Sequence, residues 1–404
     1  MHYFDFNATA PLHPAARAAW LEASDSAWHN PSSLFAAATA ARELLAESRE
    51  RVADLLGCAP ERLLFTSGAT AANNALARHL ARVAPAESVA IISAIEHPCI
   101  DVSFRTALSG RVVEAAVDQH GVVRPEVVAE CLDSLTTNVA CVSVMAASNE
   151  AGTLQPWQEL ASLCRSRGVP FHTDASQWLG KLPAAGLGEC DWVTASAHKF
   201  GGPKGCGLII TPVGGPPFRG DRGGPQEGGR HAGTENIAAI AAMAAALEAR
   251  EVEIAIRRAE WIALRGEAEQ RLRAQLPEAR VIGAGAERLW NTLAVVLPGG
   301  DGKKLVAHLA RAGVAASTGS ACSGGSGSIP RIVAAIGAEG LGIPDDSLRG
   351  MVRLSSGWDT TRADWAAAID ALVAATREKI APPAVDLRPA ADARRKSKPT
   401  EHIG

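Results

Sequence analysis

The sequence predicts an α/β fold with covered sheet faces and a site at the strand ends, and three observations carry that expectation. Short apolar runs alternate with stretches of helical periodicity. The strand-like Arg62-Leu63-Leu64-Phe65-Thr66 turns through Ser67-Gly68-Ala69-Thr70 into an alanine-rich helix, and Asp174 and Lys199 each follow a further apolar run. At 404 residues, 47% of them hydrophobic, the chain exceeds one ordinary core, so a large domain and a smaller one are expected.

After an N-terminal arm, taken as residues 1–20, the first helix is expected over 35–56. Ala41, Leu44, Leu45, Val52, Leu55 and Leu56 form its apolar stripe and Gly57 closes it. The junction after Thr66 aims unpaired helix amides at whatever lies above it, a ready anion site. Further strands are expected at 89–92, 140–144, 169–172, 191–194 and 207–210, with a helix entered at Pro156. A long helix from about Asn236 to Leu276 changes from alanine-rich to charged near Arg250, which marks the boundary of a large domain over 21–255. The smaller domain, 256–380, holds the strand Leu293-Ala294-Val295-Val296-Leu297, a helix near 304–312, a cysteine loop, a strand with Arg353 and a last helix from Arg362. Residues 381–404, with Pro382-Pro383 and Arg394-Arg395-Lys396-Ser397-Lys398, read as a mobile basic tail. There are no internal repeats.

Forty basic against forty-three acidic side chains give a net charge of -3, which argues against a general nucleic-acid or membrane-surface role. The N-terminus lacks the basic and apolar regions of a signal peptide, and the apolar run 237–247 is too short to span a bilayer. A cytoplasmic location is expected. The eight cysteines form no CxxC pair, and most are expected to be buried, reduced and structural. Cys322 differs, because it sits among serines and glycines in Ser317-Thr318-Gly319-Ser320-Ala321-Cys322 and is followed by Gly324, Gly325 and Gly327. Glycines let such a loop swing a thiol from one reactant to another.

The segment Ala195-Ser196-Ala197-His198-Lys199-Phe200-Gly201-Gly202 puts a lysine where a buried loop beside other cations lowers an amine's pKa enough for imine chemistry. Phe171-His172-Thr173-Asp174-Ala175-Ser176-Gln177 adds an aspartate at a strand end. Lysine, aspartate and a mobile thiol together suggest pyridoxal phosphate with a sulfur nucleophile. With these go Asp5-Phe6-Asn7-Ala8-Thr9-Ala10-Pro11, Asn30-Pro31-Ser32-Ser33, Phe65-Thr66-Ser67-Gly68-Ala69-Thr70, Glu96-His97, Ser148-Asn149-Glu150-Ala151-Gly152, Gly233-Thr234-Glu235-Asn236 and Val352-Arg353-Leu354-Ser355. Over nearly its whole length the chain resembles the cysteine desulfurases, a class-V branch of the aspartate-aminotransferase-like enzymes.

That resemblance implies the fold type I of pyridoxal-phosphate enzymes: a large domain with a mainly parallel sheet, and a smaller α+β domain on which the N-terminal arm packs. It implies pyridoxal 5'-phosphate as cofactor, with Lys199 the Schiff-base lysine and Asp174 the partner of the pyridine nitrogen. Gln177 would hydrogen-bond the phenolic oxygen, and His97 would stack on the ring and shuttle protons. The phosphate would sit on the Ala69 and Thr70 backbone, with Ser196 and His198 adding contacts and Thr234 reaching the phosphate of a neighbouring subunit. A homodimer with shared sites follows. Arg353 and Asn149 would clamp the substrate carboxylate, and Cys322 would take sulfur from L-cysteine as a persulfide, leaving alanine. The sulfur then goes to an acceptor protein such as an iron–sulfur scaffold, a carrier for thiolated RNA or cofactors, or a DNA-modification partner.

Two stretches depart from the family pattern. Arg230-His231-Ala232 stands where an arginine usually precedes Gly233-Thr234, and Ser355-Ser356-Gly357-Trp358-Asp359 follows Arg353. Rival readings stay open at this point. A selenocysteine lyase or an aminotransferase uses the same fold, though the latter has no need of Cys322. A metal-dependent hydrolase could be built from His172, Asp174, His198 and Cys206, and a silent scaffold is contradicted by every expected catalytic position being filled.

Overall fold

The computed structural model describes residues 1–319 and 329–377. Among them the strands are β1 (His2–Tyr3), β2 (Leu63–Thr66), β3 (Val89–Ser93), β4 (Val112–Ala115), β5 (Val139–Ser143), β6 (Phe171–Asp174), β7 (Trp192–Ser196), β8 (Gly207–Ile210), β9 (Arg280–Val281), β10 (Thr292–Val296), β11 (Val314–Ala315) and β12 (Met351–Ser355). Strands β2 to β8 form a seven-stranded sheet in the order β2-β8-β7-β6-β5-β3-β4. Only β8 runs against its neighbours, β7 and β2; the pairs from β7 to β4 are all parallel.

Side-chain alternation along the strands divides the core into two layers. Leu63, Phe65, Leu208 and Ile210 point to one face, under helices Ala37–Leu56, Trp157–Ser166 and the first half of Ile237–Gln275. Leu64 and Ile209 point to the other, under helices Ala69–Val83 and Pro98–Ala107. Because both faces are covered, β3 and β5 read as almost continuous apolar runs, which is why the sequence betrays them. Gly57 ends its helix at φ 72°, a left-handed conformation that suits a residue without Cβ.

The long helix begins on the Asn236 cap and ends at Gln275 without a break. Its second half packs on a three-stranded antiparallel sheet, β12-β10-β9. The chain's first residues complete this region. β1 pairs in parallel with β11, Asp5 bridges to Ser355, and Phe4 stacks edge-on against Trp365 with centroids 4.8 Å apart.

The unusual Gly357-Trp358 has a packing role. Trp358 lies in a chain of aromatic contacts with Phe6 (5.9 Å), Trp290 (6.0 Å) and, through Trp290, Trp261 (4.4 Å). Its indole N–H donates to the Gly180 carbonyl at 3.0 Å, and the Arg250 guanidinium sits 3.5 Å above its ring. The cluster joins the arm, the long helix and the smaller sheet. No helix among the described residues is long and apolar enough to cross a membrane.

A Cβ on Gly357 would lie 2.1 Å from the Phe6 ring, so Gly357→Ala must push the arm aside. Overpacking of this kind costs about 1–3 kcal/mol. Urea unfolding should show that loss, and an unchanged midpoint would contradict this account of the arm.

Candidate active site

A cavity of about 240 Å³ opens above the C-terminal ends of the strands. Asp174 and Ser196 are the last residues of β6 and β7, while Ala69 and His97 follow β2 and β3 by a few residues. Asn149 comes from the loop beyond β5, Arg353 from β12, and Asn7 and Ala8 from the arm. Ala69, Thr70, His97, Asn149, Asp174, Gln177, Ser196, His198, Lys199 and Arg353 all line this one cavity.

Lys199 ends the short turn Ala197–Lys199 that follows β7. Its ammonium nitrogen donates to the carbonyl oxygens of Asn7 and Ala8 at 2.7 and 2.8 Å. The Asn7 carbonyl also accepts from Gln177 Nε2 at 2.9 Å. Gln177 Oε1 in turn accepts from Lys181, whose Nζ donates to Asn7 Oδ1 at 2.9 Å. Lys181 is completely buried, and burial, with the positive charges of Lys199 and Arg353 nearby, holds its amine well below the ordinary lysine range. The Asn7 carbonyl can only accept, so it draws the Gln177 nitrogen and turns the Gln177 oxygen to Lys181. Neither Asn7 nor Lys181 was singled out from the sequence. The spacing Gln177 to Lys181 on one turn was the available signal.

His97 caps helix Pro98–Ala107, its Nδ1 accepting from the Cys99 amide at 3.1 Å. In the neutral ring the proton therefore sits on Nε2. Burial lowers its pKa, against the pull of Asp174. Glu96 is fully buried beside it and accepts from the Met145 amide (2.7 Å) and Ser93 Oγ (2.9 Å). Burial pushes its carboxyl up to about 8. Asp174 accepts from Asn73 Nδ2 and the Ser176 amide, both at 2.9 Å.

Helix Ala69–Val83 starts at Gly68, φ 141°, with no side-chain cap. The Ala69 amide donates to Ser196 Oγ at 2.7 Å, which brings hydroxyl and helix N-terminus together as an anion cradle. His198 Nδ1 lies 3.1 Å from Thr9 Oγ1, and burial together with Lys199 and Lys204 lowers its pKa to about 4, so it is neutral. Arg353, 2% exposed, donates to Asp5 Oδ1 (2.5 Å) and to the Asn149 carbonyl (2.7 Å), while its Nε has no partner. Thr234 is exposed in the loop before the long helix and does not line this cavity. Cys322 lies outside the described residues, as does the basic tail. In the departing stretch before Gly233, Arg230 Nη1 donates to the Glu61 carbonyl at 2.6 Å.

The seven cysteines among the described residues are free thiols, and burial raises the pKa of each, Cys164, Cys190 and Cys206 to about 12. The metal reading finds no support in these positions. Both ring nitrogens of His172 are engaged, by Ser143 and Thr194, and Cys206 packs against Met243 in the core. No group of three or more His, Cys, Asp or Glu among the described residues is placed to hold a metal ion.

A strand-end cavity with a lysine, an aspartate and an anion cradle on a mainly parallel sheet defines a class of α/β enzyme, and residues 2–367 match the aminotransferase class-V family. A cysteine desulfurase of Cereibacter sphaeroides is 35% identical over 392 residues, 95% of each chain. "Cysteine desulfurase IscS" of Dictyoglomus turgidum is 31% identical over 378 residues, 92% of this chain and 93% of its own. Among solved structures, a NifS-like protein from Rickettsia africae superposes with a TM-score of 0.81 at 25% identity, covering 93% of this chain and 99% of that one. The chain belongs to the cysteine desulfurases of the class-V aminotransferase family.

Two outcomes follow from this geometry. Asn7→Ala strips Lys181 of a buried acceptor and should cost about 3 kcal/mol in urea unfolding; a loss below about 0.5 kcal/mol would contradict the arm's role. For Glu96, the folded carboxyl keeps its proton up to about 8, against an ordinary value of 4.5. The folded state thus binds the extra proton between those values, and the stability this contributes, complete below 4.5, fades as pH rises towards 8. Glu96→Gln, which cannot titrate, should flatten the fall in unfolding free energy across that window, and identical slopes would refute the buried acid.

Proposed function

We propose that the protein converts L-cysteine to L-alanine with pyridoxal 5'-phosphate as cofactor and passes the sulfur to Cys322 and then to an acceptor protein. One observation carries the reading: Lys199, Asp174 and Arg353 line a single cavity whose other wall is an anion cradle. The residues suit the cofactor. Asp174 is a buried carboxylate at a strand end, Ala69, Thr70 and Ser196 offer phosphate donors at a helix N-terminus, and Lys199 supplies the amine. Gln177, held by Lys181, and the His97 ring complete the wall. When bound, pyridoxal phosphate supplies an electron sink that spreads the negative charge formed at Cα.

This chain's own groups do the rest. Arg353 and Asn149 bind the substrate carboxylate, a planar anion matched to a guanidinium. Lys199 takes the Cα proton, and the carbonyls of Asn7 and Ala8 give its amine a fixed station when it is not bonded elsewhere. The Cys322 thiolate attacks the substrate sulfur. A sulfur–sulfur bond forms, the Cβ–S bond breaks, and the electron pair stays with carbon, where protonation gives alanine. Chain connectivity supports that pairing. Ser317, five positions before Cys322, exchanges backbone hydrogen bonds with Arg353 at 2.7 and 3.2 Å, and five residues reach at most about 18 Å. Beyond the loop, Glu150 Oε2 accepts from the Ile332 amide at 2.8 Å and pins the return. Burial raises the thiols of Cys164, Cys190 and Cys206 to about 12, which keeps them protonated near neutral pH.

A homodimer belongs to the same proposal. Trp28, Leu34 and Phe35 are exposed, and Ile237, three residues after the exposed Thr234, packs with Ala27 and Ala41 nearby. An apolar patch beside Thr234 suits a second copy of the chain.

With L-cysteine as sole substrate, the wild type should release alanine without a keto acid. Cys322→Ser should retain visible cofactor absorbance and lose sulfide release under reducing conditions. Persistent desulfuration by that variant would remove Cys322 from the reaction, and a wild type unreactive towards pyridoxal phosphate would remove the cofactor.

A further inference from the structure

Behind Asp174 runs a line of side chains that none of the steps above employs. Asn73, Thr194, His172 and Ser143 are all fully buried and come from four elements: helix Ala69–Val83, β7, β6 and β5. Asn73 Nδ2 donates to Asp174 Oδ2 at 2.9 Å, and Thr194 Oγ1 donates to Asn73 Oδ1 at 2.6 Å. His172 Nε2 lies 3.0 Å from Thr194 Oγ1, and its Nδ1 lies 2.8 Å from Ser143 Oγ.

The direction of every bond in this line is forced. A carboxylate only accepts, so Asn73 must turn its nitrogen to Asp174 and its oxygen to Thr194. Thr194 must then spend its one proton on Asn73, which leaves its oxygen to accept from His172. His172 therefore carries a proton on Nε2, and its bare Nδ1 accepts from Ser143. Burial lowers the imidazole pKa to about 4 despite the nearby Asp174 charge, so the ring that fits here is the neutral one.

We propose that Ser143, His172, Thr194 and Asn73 form an uncharged relay of one polarity that positions the Asp174 carboxylate for the cofactor's pyridine nitrogen. Thr194 and His172 are thus positioning residues, acting through Asn73. The proposal rests on the pyridoxal-phosphate reading given above. Its physical sense lies in what the relay withholds: Asn73 and the Ser176 amide are neutral donors that aim the carboxylate without cancelling its charge. A cation in their place would compete with the pyridine nitrogen for Asp174.

Thr194→Val breaks both bonds of the hydroxyl with almost no change of shape at a β position, and Thr194→Ser keeps them. In the full-length chain loaded with pyridoxal phosphate, Thr194→Val should weaken cofactor binding about tenfold. It should shift the pH titration of the cofactor absorbance and lower kcat for L-cysteine with little change in KM, and Thr194→Ser should restore all three. Nitrogen-15 spectra of wild-type protein without cofactor should show His172 neutral and protonated at Nε2. A Thr194→Val protein indistinguishable from wild type in absorbance and cofactor affinity overturns the relay, as does a proton on His172 Nδ1. A wild type that takes up no pyridoxal phosphate overturns the cofactor reading instead, and the imidazole signals then decide the relay's polarity alone.

Discussion

One buried asparagine holds the site together. The Asn7 side chain and backbone engage the Ser355 hydroxyl, the Thr292 hydroxyl, the Asn149 carbonyl, the Asn291 amide, Lys181, Gln177 and Lys199. Those partners come from the three-stranded sheet and from the loops that follow β5, β6 and β7 of the larger one. A polar hub at 1% exposure is stable only if each of its groups is satisfied, and here the satisfying groups are Lys199 and its neighbours. Threading the arm between the sheets is therefore a condition of the active site as well as of the fold.

Electrostatics follow from that threading. Two basic side chains, Lys199 and Arg353, meet at a cavity whose balancing carboxylates are few and specialised, with the amine of Lys181, its pKa depressed by burial, behind them. Asp5 pairs with Arg353, and Asp174 is held by neutral donors. Glu96 is buried in a form that keeps its proton up to about 8, so it fixes the turn before His97 without adding charge near neutral pH. The same low-polarity surroundings that depress Lys181 raise the thiols of the core, so one property, burial, decides which groups stay inert and which can react.

The fold was legible where burial is two-sided. Central strands with unbroken apolar runs, such as Gly207–Ile210, and helices with a stripe and a cap, such as Ala37–Leu56 with Gly57, stand out in the sequence. The expected ends of β6 and β7 fell two residues short, because each strand runs on to a polar residue, Asp174 or Ser196, that faces the site and breaks the apolar run. Edge strand β4 and the two-residue strands β1, β9 and β11 carry too few alternations to be read, and β1 and β11 exist only because they pair with each other.

By itself the sequence determined the α/β class, the family, and the lysine, aspartate, histidine and arginine that share one cavity, since each lies in a short motif whose residue types the chemistry demands. Tertiary structure decided what those motifs could not express: that Lys181 and Asn7 orient Gln177 and Lys199, and that a line from Ser143 to Asn73 stands behind Asp174. The physical reason is that a hydrogen bond between residues 101 or 192 positions apart leaves no periodicity or local pattern. It exists only once the sheet and the arm have brought donor and acceptor within 3 Å.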